Sequence, residues 1–419
     1  MKRILSDFFR LLLLSALVWF YFIPAAATEQ DNSFSFIVFG DNRLPGYLPY
    51  TSDQIDEVEK WLEQMKRYAY GPDAALDIEI SFDPDTGKLD WIKYWPKGAP
   101  EKYRLVFLKN GWPRLIVQGP QADVALRSEG QAWIYTEIAA ELKKGAEDPL
   151  SGPSFCLNTG DMTYFGYQGR SRDESPYWRD FYERFLSKLP AGGPEGLPGR
   201  FFPAPGNHET CLDENLEGLL STVPYLPQMG FTAEHRVYKF DYGGCRFIFL
   251  DTGDMDYRNP SAWGSKHPDF QAQMAILSEW LQEAKKEGID QVFVTFHNPA
   301  FCISGFGPLP LEENPHPYLK PFASELKITV FNGHVHTTEV YQVDGIRYLI
   351  LGAGGGEQGH EANPPPTDYP EELYWKGQPR VEDYNYLRVQ VSNKGTRMWL
   401  RRYRPRADTP VEEVELYQD

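Results

Sequence analysis

The chain has 419 residues, of which 42% are hydrophobic and 15% aromatic, so it has enough apolar side chains to bury a large core in one or two domains. Its 42 basic and 59 acidic residues give a formal net charge of -17 at pH 7. A protein whose main partner is nucleic acid needs a concentrated basic surface, and this composition argues against such a partner.

The first 27 residues follow the order of a secretory signal peptide. The basic residues Lys2 and Arg3 precede an apolar run at 11–23, and three alanines at 25–27 follow it. The run is about 13 residues long, short of the roughly 20 that a stable membrane span needs. We therefore expect a signal peptide at 1–27 and an exported protein, periplasmic or secreted. The alternative is an uncleaved N-terminal anchor.

Short apolar strands are predicted to alternate with helices along the mature chain. Strand-like runs stand at 34–39, 154–157, 292–296 and 328–331, and helical stretches at 53–68, 130–144, 177–188 and 269–287. In the last helix, Met274, Leu277, Leu281 and Ala284 recur at a spacing of three or four residues. This order predicts a layered α/β fold with its functional side chains at the carboxyl ends of strands.

The connection between Asp41 and Asp161 is longer than one strand–helix connection needs. It contains strand-like runs at 76–82, 89–94, 103–108 and 114–118, with turn signals at 83–87 and 109–111. We predict a small β-rich insertion at 70–125 within a single domain at 28–419. The sequence makes no prediction of oligomeric state.

A glycine run at 352–356 follows a strand-like run at 348–351, and a closing hairpin is predicted at 386–391 and 397–403. The glycines either cradle a phosphate through their backbone amides or form a tight turn. The turn is favoured because the Lys-Ser/Thr ending of a nucleotide-binding loop is absent from the run.

Five short polar blocks occur along the chain, most of them directly after a strand-like run. They are Gly-Asp-Asn-Arg at 40–43, Gly-Asp-Met-Thr-Tyr at 160–164, Gly-Asn-His-Glu at 206–209, His-Asn-Pro at 297–299 and Gly-His-Val-His at 333–336. Imidazole and carboxylate donors suit zinc, iron and manganese. A pair of such ions activates water and neutralises phosphate charge, so the blocks predict a two-metal site.

This ordered set resembles the calcineurin-like metallophosphoesterase family, and its second block resembles the Gly-Asp-x-x-Tyr block of purple acid phosphatases. The resemblance implies an α/β fold, the four-layer α-β-β-α sandwich of two facing mixed sheets flanked by helices. It also implies a dinuclear enzyme with divalent or mixed-valence iron, manganese or zinc. Its expected reaction is attack of metal hydroxide on small phosphate esters, with phosphomonoesters as the expected substrates. The alternatives are a phosphodiesterase acting on nucleotides or lipid head groups, and a non-catalytic exported binding protein.

The resemblance further implies a role for individual residues. Asp161 would bridge the two metals, Asp41 and His336 would complete the first site, and Asn207, His297 and His334 would complete the second. His208 would face the leaving group as proton donor or stabiliser of the transition state.

The chain departs from the family pattern at Arg43, where many relatives have the histidine of Asp-x-His. A guanidinium has no free lone pair and cannot ligate a cation, so the first metal loses a donor. Tyr164 either replaces that donor or is structural. Arg43 either binds substrate phosphate or pairs with a carboxylate.

Two further predictions concern residues outside the blocks. Asp251 either supports the metal ligands or lies in a solvated turn, and the turn is favoured. An exported protein can oxidise its thiols, and Cys156, Cys211, Cys245 and Cys302 allow three complete pairings. A bridge from Cys211 to Cys302 would tie two motif loops together, whereas four thiols are the favoured alternative.

Overall fold

The computed structural model describes residues 33–43, 75–82, 84, 89–100, 104–109, 112–117, 127–163, 171–210, 213, 215–233, 235–252, 270–303, 308–309, 313–356, 383–404 and 411–418. Its strands are β1 (Phe34–Phe39), β2 (Leu76–Phe82), β3 (Leu89–Pro96), β4 (Arg104–Lys109), β5 (Trp112–Val117), β6 (Phe155–Asn158), β7 (Phe201–Pro203), β8 (Tyr238–Tyr242), β9 (Cys245–Phe249), β10 (Gln291–Thr295), β11 (Lys327–Asn332), β12 (Thr338–Val343), β13 (Ile346–Leu351), β14 (Tyr384–Ser392), β15 (Gly395–Tyr403) and β16 (Val411–Gln418). Its α-helices are α1 (Arg127–Glu147), α2 (Pro176–Arg184), α3 (Asn207–Thr210), α4 (Glu217–Thr222), α5 (Phe270–Glu287) and α6 (His316–Leu319). Short 3-10 turns cover Leu186–Lys188, Leu226–Met229 and Lys320–Phe322.

Two six-stranded sheets form the body of the fold, in the orders β16-β15-β14-β1-β6-β7 and β12-β13-β11-β10-β9-β8. Both are mixed. In the first, β1, β6 and β7 run parallel and β14 to β16 are antiparallel. In the second, β9, β10, β11 and β13 run parallel, with an antiparallel strand at each edge. The predicted mixed α/β architecture is confirmed.

An aromatic core lies between the two sheets. Phe36 of β1 is fully buried, and its ring centroid lies 5.2 Å from that of Phe247, 5.0 Å from Phe293 and 6.2 Å from Phe331. The three partners stand on neighbouring parallel strands of the second sheet. Edge-on contacts between rings at these distances add to the free energy gained from burying apolar area, so Phe36 joins the two sheets.

The two long helices cover the outer faces. On α1, Trp133 stacks on Tyr403 of the first sheet at 5.1 Å between ring centroids. On α5, the residues predicted from helical spacing (Met274, Leu277, Leu281 and Ala284) are buried against side chains of the second sheet. Val292 and Val294 of β10 face α5, whereas Phe293 between them faces the aromatic core, as the alternation of a strand requires. The layers follow the order helix, sheet, sheet, helix.

Strands β2 to β5 form a four-stranded antiparallel sheet of their own. Each starts within two residues of a strand-like run of the sequence. The edge strand β16 was not predicted, because its acidic residues interrupt the apolar pattern. It pairs with β15, where Glu412 and Glu413 meet Arg402 and Arg401 at 3.2 and 3.6 Å. The helix predicted at 53–68 lies outside the described residues.

Cys156 and Cys245 are buried thiols on β6 and β9. Burial raises the pKa of Cys245 to about 12 and that of Cys156 well above its usual value. Cys211 lies outside the described residues, so its pairing with Cys302 stays a prediction. In the part of the chain that the structure describes, no helix is long and apolar enough to cross a membrane.

Candidate metal centre

The polar blocks meet at the carboxyl ends of the parallel strands. Asp41, Asp161 and Asn207 follow β1, β6 and β7, which run parallel in the first sheet. His297 and His334 follow β10 and β11, which run parallel in the second. Because the carboxyl ends of parallel strands share one edge of a sheet, residues almost three hundred positions apart along the chain become neighbours.

Four of the predicted ligands have a left-handed backbone. The φ angles are 52° at Asp41, 58° at Asp161, 73° at His334 and 50° at His336. Residues other than glycine rarely adopt this conformation, and each instance costs of order 1–3 kcal/mol. Only two other non-glycine residues of the described chain share it. Backbone strain is thus concentrated at the predicted ligands.

Two motif glycines leave room for the ligand carboxylates. A Cβ atom built on Gly206 would lie 2.3 Å from Oδ1 of Asp161, and one on Gly333 would lie 2.3 Å from Oδ2 of Asp41. Real Cβ atoms essentially never approach another heavy atom so closely. The glycines of Gly-Asn-His-Glu and Gly-His-Val-His are therefore required by the packing of the site itself.

The first donor group consists of Asp41, Asp161 and His336. One donor atom from each lies within 4.8 Å of the other two, and Nε2 of His336 lies 3.4 Å from Oδ1 of Asp41. All three residues are buried. The backbone amide of His334 donates to both carboxylate oxygens of Asp41 at 3.0 and 2.9 Å, which fixes the orientation of that carboxylate.

The second donor group consists of Asp161, Asn207, His297 and His334. Nε2 of His297 lies 3.0 Å from Oδ1 of Asn207, 3.3 Å from Oδ1 of Asp161 and 3.3 Å from Nδ1 of His334. The last atom is 3.1 Å from Oδ1 of Asn207. Four donors around a zinc-sized ion at about 2.0–2.1 Å would be separated by roughly 3.3–3.4 Å, close to the observed spacing.

The hydrogen bonds of His297 show why a cation fits this second group. Its Nδ1 lies 2.8 Å from the carbonyl oxygen of Thr159, which only accepts, so Nδ1 carries the proton. With a metal ion bound, Nε2 would instead present a lone pair to that ion, together with the oxygens of Asn207 and Asp161. Burial lowers the pKa of His334 well below its usual value, which favours a neutral ring whose Nδ1 lies near Asn207 and His297. A metal ion beside Nε2 of His297 would lie close to the oxygens of Asn207 and Asp161 and to Nδ1 of His334.

Arg43 lies inside the first donor group. Its Nε donates to Oδ2 of Asp161 at 3.0 Å, and its Nη2 is 3.3 Å from Nε2 of His336. The side chain is only 4% exposed. A pairing of Arg43 with a carboxylate is thus present in the structure, and contact of Arg43 with phosphate stays a prediction.

The two aspartates differ in their electrostatic surroundings. Burial raises the pKa of Asp41 to about 8. Burial acts in the same direction on Asp161, but the basic groups around it, first His297 and then His208, outweigh burial and hold its pKa well below the usual range. Asp161 is therefore the carboxylate that stays ionised at the point where the two donor groups meet.

His208 lies beside the shared carboxylate without belonging to either group. Its backbone amide donates to Oδ1 of Asp161 at 3.2 Å, and its ring Nε2 lies 3.8 Å from Oδ2. The residue is 2% exposed. This arrangement holds an imidazole next to the donor groups.

Residues 123–338 match the family of calcineurin-like phosphoesterases. The chain belongs to this family. Its members are metal-dependent hydrolases of phosphate esters that use two metal ions, and this phosphoesterase carries a candidate ligand cluster at the strand ends. A comparison with curated protein sequences gives no match.

Several solved structures resemble this phosphoesterase at low identity. A dimetal phosphatase from Danio rerio has 11% identity and a TM-score of 0.44, with 92% of this chain and 99% of that chain covered. GAP50, the anchor in the inner membrane complex of Plasmodium, has 17% identity and a TM-score of 0.44, with 69% of this chain and 85% of that chain covered. The NAD nucleotidase of Haemophilus influenzae has 11% identity and a TM-score of 0.35, with 92% of this chain and 54% of that chain covered. The family membership rests on the family match alone.

Glu209 supports the ligand loops of this phosphoesterase, and the sequence analysis gave it no role. Its Oε2 accepts from the backbone amides of Asp161 and Gly206, both at 2.8 Å. Its Oε1 accepts from Met162 and Thr163 at 2.7 and 3.0 Å. The signal was available, because Glu209 is the fourth residue of the Gly-Asn-His-Glu block.

A second supporting network lies beneath Asp41 and was also missed. The side chain of Asn42 donates to the hydroxyl of Tyr135 at 2.6 Å and accepts from Asn158 at 2.8 Å. The amides of Gly354 and Gly356 donate to the carbonyls of Gly40 and Asp41 at 3.0 and 2.7 Å. These two amides of the glycine run therefore anchor the first block, which counts against their binding a phosphate.

Asp251 requires a correction. The favoured prediction of a solvated turn was wrong, because Asp251 is 2% exposed and pairs with Nη1 of Arg236 at 3.1 Å. Its backbone is held by Gln273. The adjacent Thr252 donates to Oδ1 of Asn298 at 3.0 Å, so this corner supports the loop that carries His297. Tyr164 lies outside the described residues, and its role as a ligand stays a prediction.

Proposed function

We propose that this phosphoesterase hydrolyses small phosphate monoesters at the two donor groups that share Asp161. The observation that carries the proposal is the presence of one imidazole nitrogen and two oxygens around Nε2 of His297, at 3.0 to 3.3 Å. Imidazole, carboxylate and amide donors suit zinc, iron or manganese. A metal ion held there would supply a nucleophile at neutral pH and neutralise the negative charge of the phosphate.

The chain's own residues divide the remaining work between them. Asp161 holds the two groups together through separate oxygens, since Oδ1 faces His297 and Oδ2 faces Arg43. His208 is placed to give a proton to the leaving oxygen, because its ring Nε2 lies 3.8 Å from Oδ2 of the shared carboxylate Asp161. General acid catalysis of this kind contributes roughly 10²- to 10⁴-fold to a rate.

The charge of the site supports monoesters as the substrate class. A phosphomonoester reaches the site as a dianion, whereas a diester carries one negative charge. Arg43 and His208 place two basic groups beside Asp161 in addition to the metal ligands. Buried basic groups favour the more highly charged ester, because electrostatic interactions strengthen in a site shielded from water.

The test compares two chromogenic substrates on the same metal-loaded protein. We expect kcat/KM for p-nitrophenyl phosphate to exceed that for bis(p-nitrophenyl) phosphate by at least about tenfold, a difference of about 1.4 kcal/mol in transition-state binding. A preference for the diester would replace the proposal by a phosphodiesterase. Saturable phosphate binding without turnover of either ester would replace it by a binding protein.

Export of the chain is a further part of the proposal. Its support is the order of basic, apolar and small residues at 1–27, which lie outside the described residues. The measurement is the intact mass of the protein recovered from the medium or periplasm of the expressing cells. A mass that begins after Ala27 would support export with cleavage, and full-length protein confined to the cytoplasm would contradict it.

A further inference from the structure

We propose that the guanidinium of Arg43 takes the place of the first metal ion, so that this phosphoesterase binds one metal ion, at the second donor group. The inference rests on the proposed function for the use of that ion. It departs from the two-metal arrangement of the family at one point, the first donor group formed by Asp41, Asp161 and His336.

The guanidinium of Arg43 already contacts two of the side chains that a first metal ion would need as ligands. Nε of Arg43 donates a hydrogen bond to Oδ2 of Asp161 at 3.0 Å, and Nη2 lies 3.3 Å from Nε2 of His336. These are two of the three residues of the first group. A metal ion could reach them only after both contacts were broken and the guanidinium had moved away.

Arg43 is also held in place. Its backbone amide donates to the carbonyl of Asp161 at 3.0 Å, so the ligand loop and the arginine loop are joined by backbone as well as side chain. The side chain is 4% exposed, and displacing it would require a new position for a charged group within the protein. A buried charge without a partner is strongly destabilising.

The balance of charge points in the same direction. A guanidinium keeps its proton at every pH at which proteins fold. The charges of Arg43 and of a single divalent ion together already exceed the negative charge that Asp41 and Asp161 can carry. A second divalent ion would place two further positive charges against a buried cation.

The second donor group carries no comparable obstacle. Oδ1 of Asp161 faces His297, whereas the other oxygen of the carboxylate, Oδ2, accepts the hydrogen bond from Arg43. The shared carboxylate can therefore ligate an ion at the second group while it keeps its ion pair at the first. One aspartate then bridges a metal ion and a guanidinium instead of two metal ions.

The test is the number of zinc ions bound per chain, measured by mass spectrometry after the metal-free protein is equilibrated with Zn²⁺ and desalted. We expect one zinc for the wild type and two for Arg43→His, which restores a donor and removes the fixed charge. Arg43→Lys keeps the charge and should stay at one. Two zinc ions bound with similar affinity by the wild type in a calorimetric titration would overturn the inference.

Two controls keep the result interpretable. Asn207→Ala should lower the affinity of the wild-type ion at least tenfold, because it removes a donor of the second group; an unchanged affinity would place the ion elsewhere and overturn the inference. Thermal unfolding of each variant identifies a misfolded protein, and the wild-type stoichiometry alone then decides. Turnover of p-nitrophenyl phosphate is recorded on the same samples, so one bound ion without turnover would refute the proposed function and leave this inference standing.

Discussion

The carboxylate of Glu209 accepts a hydrogen bond of 2.8 Å from the backbone amide of Asp161, so the side chain of one polar block fixes the backbone of another. Asp161 is one of the residues with a left-handed backbone, at φ 58°. Four short hydrogen bonds from backbone amides to a single buried side chain help to hold this strained loop, because a buried amide that loses its partner destabilises the fold.

Glu209→Gln should destabilise the protein and weaken metal binding. The amide side chain keeps the shape but offers one acceptor oxygen in place of two, so at least one buried backbone donor loses its partner, at a cost of about 1–3 kcal/mol. Urea unfolding measures the free energy, and a zinc titration measures the affinity. Glu325→Gln, which alters an exposed pair with Lys285, is the matched control. Equal stability for both variants would refute the supporting role of Glu209.

His208→Ala should keep the metal and lose turnover. The ring Nε2 lies 3.8 Å from Oδ2 of Asp161, which is beyond direct hydrogen-bond distance, whereas loss of a general acid costs roughly 10²- to 10⁴-fold in rate. The loss should be larger for an alkyl phosphate than for p-nitrophenyl phosphate, since a poor leaving group depends more on its proton. His316→Ala, at a half-buried histidine bonded to Tyr348 and Asp344, is the control. An equal loss with both substrates would argue against proton donation.

Gly206→Ala should abolish tight metal binding through a steric effect. The added methyl group would lie 2.3 Å from Oδ1 and 2.5 Å from the backbone nitrogen of Asp161, so the shared carboxylate must move. Gly288→Ala is an instructive comparison, because Gly288 has φ 77° and open space around it. It should cost about 1–3 kcal/mol of stability through its left-handed backbone and leave metal binding intact. Normal zinc affinity in Gly206→Ala would contradict the described geometry.

Asp213 should make the protein less stable as the pH rises. Burial raises its pKa from 3.8 to about 6, so the folded state binds more protons than the unfolded state between these values. The stabilising contribution is complete below pH 3.8 and is lost as the pH rises through about 6, up to roughly 3 kcal/mol in all. Asp213→Asn should remove this dependence. The stability difference between the two proteins, followed by urea unfolding, should change between pH 4 and pH 7, and a constant difference would contradict the prediction.

Much of the fold follows from local pattern. Strand β1 covers the predicted residues 34–39, and the amphipathic helix α5 starts one residue after its predicted start. Both predictions succeeded because an apolar run and a helical spacing can be recognised within a short stretch of sequence. The five polar blocks were visible for the same reason. The sequence did not predict which strands pair with one another. Strand β1 lies between β6 and β14, which is distant in sequence, and no local signal specifies β14 as its neighbour.

In the candidate site too, local patterns were predictable from the sequence and long-range contacts were not. The residue types and order of the blocks predicted donors, but not which atoms face one another. The bonds from Glu209 to the loop of Asp161 span 48 positions or fewer, and the contact of Arg43 with His336 spans 293. Asp251 was misjudged because its partner Arg236 stands on a separate segment. Burial of a polar residue depends on tertiary partners that a single sequence does not display.

The most direct test of the account is turnover of p-nitrophenyl phosphate by the wild type and by Asp161→Asn, each stripped with a chelator and then supplied with Zn²⁺, Mn²⁺ or Fe²⁺. We predict that the stripped wild type loses more than about 10²-fold in rate, since even indirect changes around a metal cost 10- to 100-fold, and that one of these ions restores it. Asp161→Asn should recover with none of them. Turnover by the wild type that survives chelation, or normal turnover by Asp161→Asn, would contradict a metal-dependent reaction centred on Asp161.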